Sequence, residues 1–339
     1  MKYRKVGKSG LKVSEISLGS WLTYGQNTDT EVAFKCLDTA MDSDINFIDS
    51  AEIYGKGGAE SVIGDWLKQG TVDRKNLVIS SKVFWPMTED INRWGLSRKN
   101  IINSIEGSLE RLGTDYVDIY YMHRYDYMTP IKETVEIIGD LIREHKIRYW
   151  GTSIWTAAQL ERVQAVCKEF NIPPPIVEQP LYNMLFRHIE MEIMAIGKNH
   201  GIGFTVFSPL AQGILTGKYN DGVPDGSRAK YADTMGDVLT DENLETVRNL
   251  SKVAENLDIS LPQLALAWIL RRKEISSAII GATNPEHVIE NAKASEIGLS
   301  DDTIEKIESI LDNKPEWPGP YKPNFFQMDK MRKFNSKFD

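Results

Sequence analysis

The sequence predicts an α/β protein whose fold is a closed (β/α)8 barrel. Short apolar runs alternate with amphipathic helical patterns along most of the 339 residues, and eight such runs can be identified. No Gly-x-Gly-x-x-Gly turn follows the first run, which disfavours an open, doubly wound sheet. We therefore predict one domain over residues 1–339, with the barrel at about 15–312 and an irregular C-terminal tail at 313–339.

The strands follow in chain order after a short N-terminal segment. The turn signal Lys8-Ser9-Gly10 in that segment predicts a β-hairpin. The apolar runs then predict strands at 16–21, 46–49, 77–82, 116–123, 147–153, 176–179, 203–208 and 278–281.

Helical patterns separate these strands. Apolar residues recur at helical spacing after Asp29, a favoured N-cap residue, and again between Ser97 and Gly113, where glycine favours a left-handed C-cap. Further helices are predicted at 60–68, 132–145, 157–168, 189–199, 261–272 and 286–294. Strands and helices in this alternation predict a TIM barrel, in which catalytic residues lie at the carboxyl ends of the strands.

Composition excludes several classes of function. A net charge of -8 provides no basic field for nucleic acid or for an anionic membrane surface. No apolar run is long enough to span a membrane and none follows the charged N-terminus, so we expect a cytoplasmic protein without membrane insertion. Cys36 and Cys167 fall in amphipathic helical patterns and are expected to be free, buried thiols. The five histidines show no ligand spacing, so no metal site is predicted.

Four residues near the ends of three predicted strands indicate acid–base chemistry: Asp49, Tyr54, Lys82 and His123. Tyrosine is a poor acid near neutral pH, but an adjacent ammonium favours the phenolate and lowers the pKa. Lys82 would be that ammonium, Asp49 would keep it charged and oriented, and His123 would polarise a substrate oxygen. Taken singly, the four could instead be a helix cap, a packed ring, a solvated charge and a core histidine.

Motifs spread over nearly the whole chain narrow this chemistry. They include Gly19-Ser20-Trp21, Asp49 to Tyr54, Ser81-Lys82, Trp150 to Ser153, Glu178-Gln179, Ser208 to Ala211, Gly213 to Tyr219 and Gly281 to Asn284. On these motifs the chain resembles the aldo-keto reductases, in particular the branch of voltage-gated potassium channel beta subunits. The resemblance implies that Tyr54 is the proton donor, that Lys82 and Asp49 tune it, and that His123 orients the carbonyl.

The same resemblance implies a nicotinamide cofactor, NADPH/NADP+, bound in an extended form without a Rossmann fold. The residues implied for its binding are Ser20, Trp21, Gln26, Asp49, Ser153, Gln179, Phe207, Ser208, Pro209, Leu210, Ala211, Gln212, Gly213, Lys218, Arg228, Gly281, Thr283, His287, Glu290 and Asn291. Aromatic residues in loops after the strands are the candidates for an apolar substrate cleft: Trp21, Tyr24, Trp85 and Tyr125.

Two positions depart from the family pattern. Ile154 follows Ser153 where many members place asparagine, so a hydrogen bond to the nicotinamide carboxamide is lost. The segment 282–291 has no arginine or lysine for a 2′-phosphate, and Arg228 could supply that cation from a neighbouring loop. The preference for NADPH over NADH therefore depends on Arg228.

The leading hypothesis is an NADPH-dependent reductase that converts a small carbonyl substrate, an aldehyde or ketone, to an alcohol. Whether the protein forms a homo-oligomer is left open. The alternative is a nucleotide-sensing regulatory subunit that docks on a membrane transporter. Two features argue against the regulatory subunit. The channel subunits look to carry asparagine where this chain has His123, and the long arm of some of them is lacking before Lys2. A hydrolase or isomerase using Asp49, Glu52 and Glu178 would leave Lys82 and Tyr54 without roles.

Overall fold

A computed structural model describes residues 1–26, 28–225, 227, 229, 235 and 238–315. Its strands are β1 (Tyr3–Lys5), β2 (Lys12–Ser14), β3 (Ile16–Gly19), β4 (Phe47–Asp49), β5 (Val78–Val83), β6 (Val117–Met122), β7 (Ile147–Ser153), β8 (Val177–Gln179), β9 (Gly203–Val206) and β10 (Ile275–Gly281). Strands β3 to β10 form a closed parallel barrel in the order β10-β3-β4-β5-β6-β7-β8-β9. The predicted (β/α)8 TIM barrel is confirmed.

Helices surround this barrel. They are α1 (Thr30–Asp42), α2 (Gly58–Lys68), α3 (Arg98–Leu112), α4 (Ile131–Arg143), α5 (Ala157–Glu169), α6 (Ile193–His200), α7 (Asp241–Asn256), α8 (Leu261–Leu270), α9 (Pro285–Ala292) and α10 (Asp301–Leu311). Their buried apolar faces pack on the outside of the strands and form the larger hydrophobic core. Within the described residues, none of the helices combines the length and apolar character that crossing a membrane requires.

The N-terminal hairpin closes one end of the barrel. Strands β1 and β2 pair antiparallel, as the turn signal predicted. Val6 and Val13 are fully buried with Phe47, Val78 and Ile119 in a cluster at this end. Because the amino-terminal end is filled in this way, the carboxyl ends of the strands are left to form a site.

Helix α3 shows how the local sequence sets element boundaries. The Ser97 hydroxyl accepts a hydrogen bond from the Asn100 amide at 3.3 Å, which caps the first turn. Gly113 ends the helix with a φ of 63°, a left-handed conformation that glycine adopts without a steric penalty. Both predicted boundaries are confirmed. Asp29 occupies the N-cap position of α1, although its side chain makes no capping bond to the described residues.

Some bounds and two helices differ from the sequence prediction. Strands β3, β6 and β9 end two, one and two residues earlier than predicted (Gly19, Met122 and Val206, against 21, 123 and 208), so Trp21, His123 and Ser208 lie beyond strand ends. Helices α7 and α10 were not predicted, because they lie outside the simple strand–helix alternation. The predicted free thiols are confirmed: burial raises the pKa of Cys36 to about 11 and that of Cys167 to about 12.

Candidate active site

A buried ion pair forms the base of the site. Lys82, fully buried on β5, places its ammonium Nζ 2.6 Å from Oδ2 of Asp49 at the end of β4. The same ammonium donates to the Ser50 carbonyl at 2.7 Å. Burying an isolated ammonium is strongly unfavourable, and a short, well-oriented pair with a carboxylate offsets much of that penalty. The predicted partnership of Asp49 and Lys82 is present in the structure.

The second carboxylate oxygen of Asp49 is also occupied. Oδ1 accepts from the Ser80 hydroxyl at 2.7 Å and from Nε2 of Gln179 at 2.9 Å. The barrel register brings these groups together, because Asp49 pairs with Ser80 across β4 and β5. Asp49 is therefore held by three donors from two other strands, Ser80 and Lys82 of β5 and Gln179 of β8, and its orientation toward Lys82 is fixed.

Tyr54 lies directly above this pair. It begins the short 3₁₀ helix Tyr54–Gly57, is half-buried, and has its ring centroid 4.8 Å from Nζ of Lys82. His123 meets the ring edge-to-face at a centroid distance of 5.9 Å, and Trp21 lies 6.5 Å away. The structure thus brings together all four residues that the sequence singled out.

The pKa of Tyr54 is raised well above its ordinary value of 10.0, which differs from the expected lowering. Burial is the main cause, the Asp49 carboxylate adds to it, and Arg124 opposes it. The ammonium of Lys82, which is paired with Asp49 at 2.6 Å, does not reverse this shift. Tyr54 consequently keeps its proton at neutral pH and can act as a donor.

His123 is a buried, neutral imidazole. It is 7 % exposed, and burial, Lys82 and Arg124 lower its pKa well below 6.5. Its Nδ1 atom has no hydrogen-bond partner in the part of the chain that the structure describes. A neutral imidazole carries one N–H, which can donate a hydrogen bond to a substrate oxygen without bringing a charge into the site.

Aromatic side chains flank the tetrad of Asp49, Tyr54, Lys82 and His123. Trp85 is 38 % exposed and meets His123 edge-to-face at 6.3 Å, and Trp21 is 41 % exposed. Tyr125 packs edge-to-face against Trp155 at 4.8 Å. Tyr24, by contrast, is only 1 % exposed and lies in the hydrophobic core. Its predicted contact with substrate has no support from this position, whereas Trp21 and Trp85 lie beside the tetrad.

The residues predicted for the nicotinamide lie at neighbouring strand ends. Ser153 and Gln179 pair across β7 and β8, and the Ser153 hydroxyl donates to the Gln179 carbonyl at 2.9 Å. The Ser20 hydroxyl lies 3.1 Å from the Asp49 carbonyl within the barrel wall, while Gln26 is exposed. Phe207 follows β9 and forms a single bridge to Leu181. All of these residues lie on the open end of the barrel.

The loop after β9 is a tight turn with several residues in left-handed backbone conformations. Ser208, Ala211, Gln212 and Gly213 all have left-handed backbones, with φ values of 49°, 47°, 58° and 99°. The Ala211 and Gly213 amides donate within the loop, to the carbonyls of Ser208 and Leu210 at 3.0 and 2.9 Å, and these bonds hold the turn. A Cβ on Gly213 would lie 3.1 Å from Nζ of Lys218, so the ammonium lies against the loop. In the predicted pyrophosphate segment, which also contains Pro209 and Leu210, the ammonium of Lys218 is therefore the group that favours an anionic ligand.

The residues predicted for the adenosine end follow β10. Gly281 at the end of β10, Thr283 in the loop after it and His287 on α9 are exposed, and the Glu290 carbonyl accepts from Gln263 at 3.0 Å. Asn291 is 4 % exposed, and its Oδ1 has no hydrogen-bond partner among the described residues. An unsatisfied buried acceptor of this kind fits a site that a polar ligand completes. Arg228 lies outside the described residues.

Two charged residues beside the tetrad were not assigned roles in a carbonyl-reducing site by sequence reasoning. Arg124 follows His123, and its guanidinium lies over the Trp85 ring at 5.3 Å. Glu178 is fully buried on β8, where its carboxylate accepts hydrogen bonds from the Thr152 hydroxyl at 2.5 Å and the Trp155 amide at 3.2 Å. Burial raises the pKa of Glu178 to about 7, against the influence of these bonds and of Arg124. The only sequence signal for either residue is its adjacency to a predicted site residue.

Glu52 provides a test of how burial affects ionisation near the site. Burial raises its pKa from 4.5 to about 7, while Ser104 and Arg111 oppose the shift. Between pH 4.5 and about pH 7 the folded state binds the Glu52 proton more tightly than the unfolded state does. The free energy of unfolding therefore falls as the pH rises from 4.5 to about 7. We expect Glu52→Gln to be more stable than the parent protein by about 3 kcal/mol near pH 8, and equally stable near pH 4.

Urea unfolding at the two pH values measures this difference. The matched control is Glu305→Gln on the exposed face of α10, which should change stability little at either pH. If Glu52→Gln lowers stability equally at both pH values, ionisation of Glu52 does not lower the stability of the parent protein.

Comparison with known proteins finds matches over most of the chain. A sequence model of the Aldo/keto reductase family matches residues 15–312. A protein of Schizosaccharomyces pombe named as a voltage-gated potassium channel beta subunit is 43% identical over 323 residues, covering 92% of this chain and 94% of its own. Proteins with the same kind of name are 41% identical in Arabidopsis thaliana and 39% identical in Oryza sativa subsp. japonica, each over 329 residues, covering 95% of this chain and 100% of their own.

Proposed function

Because this chain belongs to the aldo/keto reductase family, we propose that it reduces the carbonyl group of an aldehyde or ketone to an alcohol, with NADPH as hydride donor and Tyr54 as proton donor. The observation that carries the proposal is the convergence on one point of a protonated phenol, a buried Lys82–Asp49 pair and a neutral imidazole. A hydrolase or isomerase based on paired carboxylates would have no use for this arrangement.

Each protein group has a defined task in this reaction. The N–H of His123 donates a hydrogen bond to the carbonyl oxygen, which orients and polarises it. Tyr54 then transfers its phenolic proton to the oxygen as negative charge develops there. Lys82, held by Asp49, stabilises the phenolate that remains, because its ammonium lies beneath the ring. The carboxylate of Asp49 prevents Lys82 from turning away.

When bound, the nicotinamide cofactor supplies the hydride. Ser153 and Gln179 would hold its carboxamide, and Phe207 would stack on its ring. The loop from Ser208 to Gly213, together with Lys218, would hold the pyrophosphate. The buried Oδ1 of Asn291, which has no hydrogen-bond partner among the described residues, supports binding of the adenosine end of the cofactor there. Ile154 offers no side-chain hydrogen bond, so the carboxamide would depend on Ser153 and Gln179.

The test is a two-stage measurement. Titration of NADPH and of NADH against tryptophan fluorescence should show tighter binding of NADPH, and oxidation of the bound NADPH should follow when aldehydes or ketones are added. Absence of nucleotide binding would contradict the proposal as a whole. Equal affinity for the two nucleotides would contradict the NADPH preference alone.

A second candidate function rests on the names of the relatives. Because proteins 39% to 43% identical are named as potassium channel beta subunits, this chain could act as a nucleotide-binding subunit of a channel. His123 argues for the reductase, since it supplies a donor to the substrate oxygen. Nucleotide binding without turnover of any carbonyl in the same experiment would favour the subunit.

A further inference from the structure

We propose that Arg124 is a specificity residue that binds a carboxylate on the substrate, so that the preferred substrates are aldehydes or ketones that also carry a carboxylate group. This inference rests on the proposed reductase function and names its substrate class. It depends on the position, the bonding and the electrostatic surroundings of one side chain.

The position of Arg124 is across the barrel from the predicted phosphate-binding loops. It follows β6, and in the closed barrel β6 is the fourth strand from β10 in either direction. The loops after β9 and β10 carry the residues predicted for the pyrophosphate and adenosine. A guanidinium on the opposite side of the opening is therefore placed to contact the substrate and not the cofactor phosphates.

The guanidinium has unused donors. Its Nη1 donates to the His123 carbonyl at 2.5 Å, and its face lies over the Trp85 ring. Among the described residues no carboxylate lies within salt-bridge distance of Arg124, and none of its other N–H groups has a protein acceptor. A planar guanidinium with donors left over can bind a carboxylate through two parallel hydrogen bonds.

The charges around Arg124 leave it uncompensated near neutral pH. The groups that interact with it electrostatically are Tyr54, Lys82, His123 and Glu178. Tyr54 and His123 are neutral, and the charge of Lys82 is cancelled by Asp49. Glu178 is fully buried and is only partly ionised in this pH range. The opening beside the tetrad is therefore positive overall, which favours an anionic substrate.

Trp85 connects the two ends of such a substrate. Its ring lies 6.3 Å from the ring of His123 and 5.3 Å from the guanidinium carbon of Arg124. The body of a small aromatic molecule can pack against this exposed indole, with its carbonyl at Tyr54 and His123 and its carboxylate at Arg124. Trp21, near Tyr54, extends the apolar wall.

A matched pair of substrates tests the inference. 4-Carboxybenzaldehyde and methyl 4-formylbenzoate have similar size and differ in charge. The ester withdraws electrons more strongly than the carboxylate, so the intrinsic reactivity of the aldehyde favours the ester and cannot produce a preference for the carboxylate. We expect the parent enzyme to favour the carboxylate by about 10- to 100-fold in kcat/KM, the range expected for a charge-assisted hydrogen bond. In Arg124→Gln the ratio should fall to one or lower, and in Arg124→Lys it should be intermediate because the charge is kept but the two-pronged geometry is lost.

Controls separate this inference from the function on which it depends. Arg143→Gln, an exposed position on α4, should keep the parent ratio. Titration of 4-(hydroxymethyl)benzoate into the NADPH-saturated protein measures anion binding without turnover, and it should weaken about 10-fold or more in Arg124→Gln. If both aldehydes are reduced but the parent ratio is near one, or if Arg124→Gln keeps the preference, the role of Arg124 is wrong. If neither aldehyde is reduced but the anion still binds through Arg124, the reductase proposal fails and the anion site stands.

Discussion

Replacing Tyr54 by phenylalanine should lower the turnover of carbonyl reduction about 1000-fold, the typical contribution of a positioned general acid. The change removes one oxygen and keeps the ring that packs beside His123 and above Lys82. NADPH affinity should therefore remain within a few fold of the parent value. Single-turnover oxidation of bound NADPH, followed after mixing with an aldehyde, separates this chemical step from product release.

The control for Tyr54→Phe removes a phenolic hydroxyl elsewhere. Tyr3 lies in the hairpin at the closed end of the barrel, where its hydroxyl donates to the Asp44 carbonyl. Tyr3→Phe should leave turnover unchanged. If Tyr54→Phe also leaves the rate unchanged, Tyr54 is not the proton donor, and a loss of NADPH affinity equal to the loss of turnover would indicate a binding role instead.

The second large effect is on stability. Asp49→Asn keeps the size of the side chain but leaves the ammonium of fully buried Lys82 without its counter-ion at 2.6 Å. Breaking a buried pair in this way costs about 3–5 kcal/mol. We expect a loss of that size in the free energy of unfolding, measured by urea denaturation with tryptophan fluorescence.

A double variant identifies the cause of that loss. Asp49→Asn combined with Lys82→Met removes both members of the pair, so no unpaired charge remains buried and most of the stability should return. Carbonyl reduction should stay low in the double variant, since it has no ammonium to stabilise the phenolate of Tyr54. An Asp49→Asn protein as stable as the parent would show that Lys82 loses its charge at little cost or finds another partner.

The repeating pattern of the sequence was sufficient to predict the barrel. Alternating apolar runs and helical stripes are local properties, as are the cap at Ser97 and the glycine at Gly113. Helix α7 was missed although Leu244, Val247 and Leu250 follow helical spacing. It adds a helix to a chain whose strand–helix alternation was already complete, so counting alone gave no reason to expect it.

Strand ends were less accurate than strand positions. Strand β6 ends at Met122, so His123 is the first residue of the loop that follows, although its amide still donates to the Val83 carbonyl at 3.0 Å. Ile154 adopts a φ of 56°, a conformation that is strained for a β-branched residue. Nothing in the local sequence indicates that strain, because it arises where β7 ends above buried Glu178.

The sequence alone determined the strand–helix alternation and the chemical identities of the residues at the strand ends. The tertiary structure decided which of them meet: Asp49 on β4 contacts Ser80 and Lys82 of β5 and Gln179 of β8 in the closed barrel. It also decided that the pKa of Tyr54 rises and that Arg124 lies beside the tetrad with donors to spare. Both outcomes depend on burial and on distances between groups far apart in the chain, and these exist only once the barrel closes.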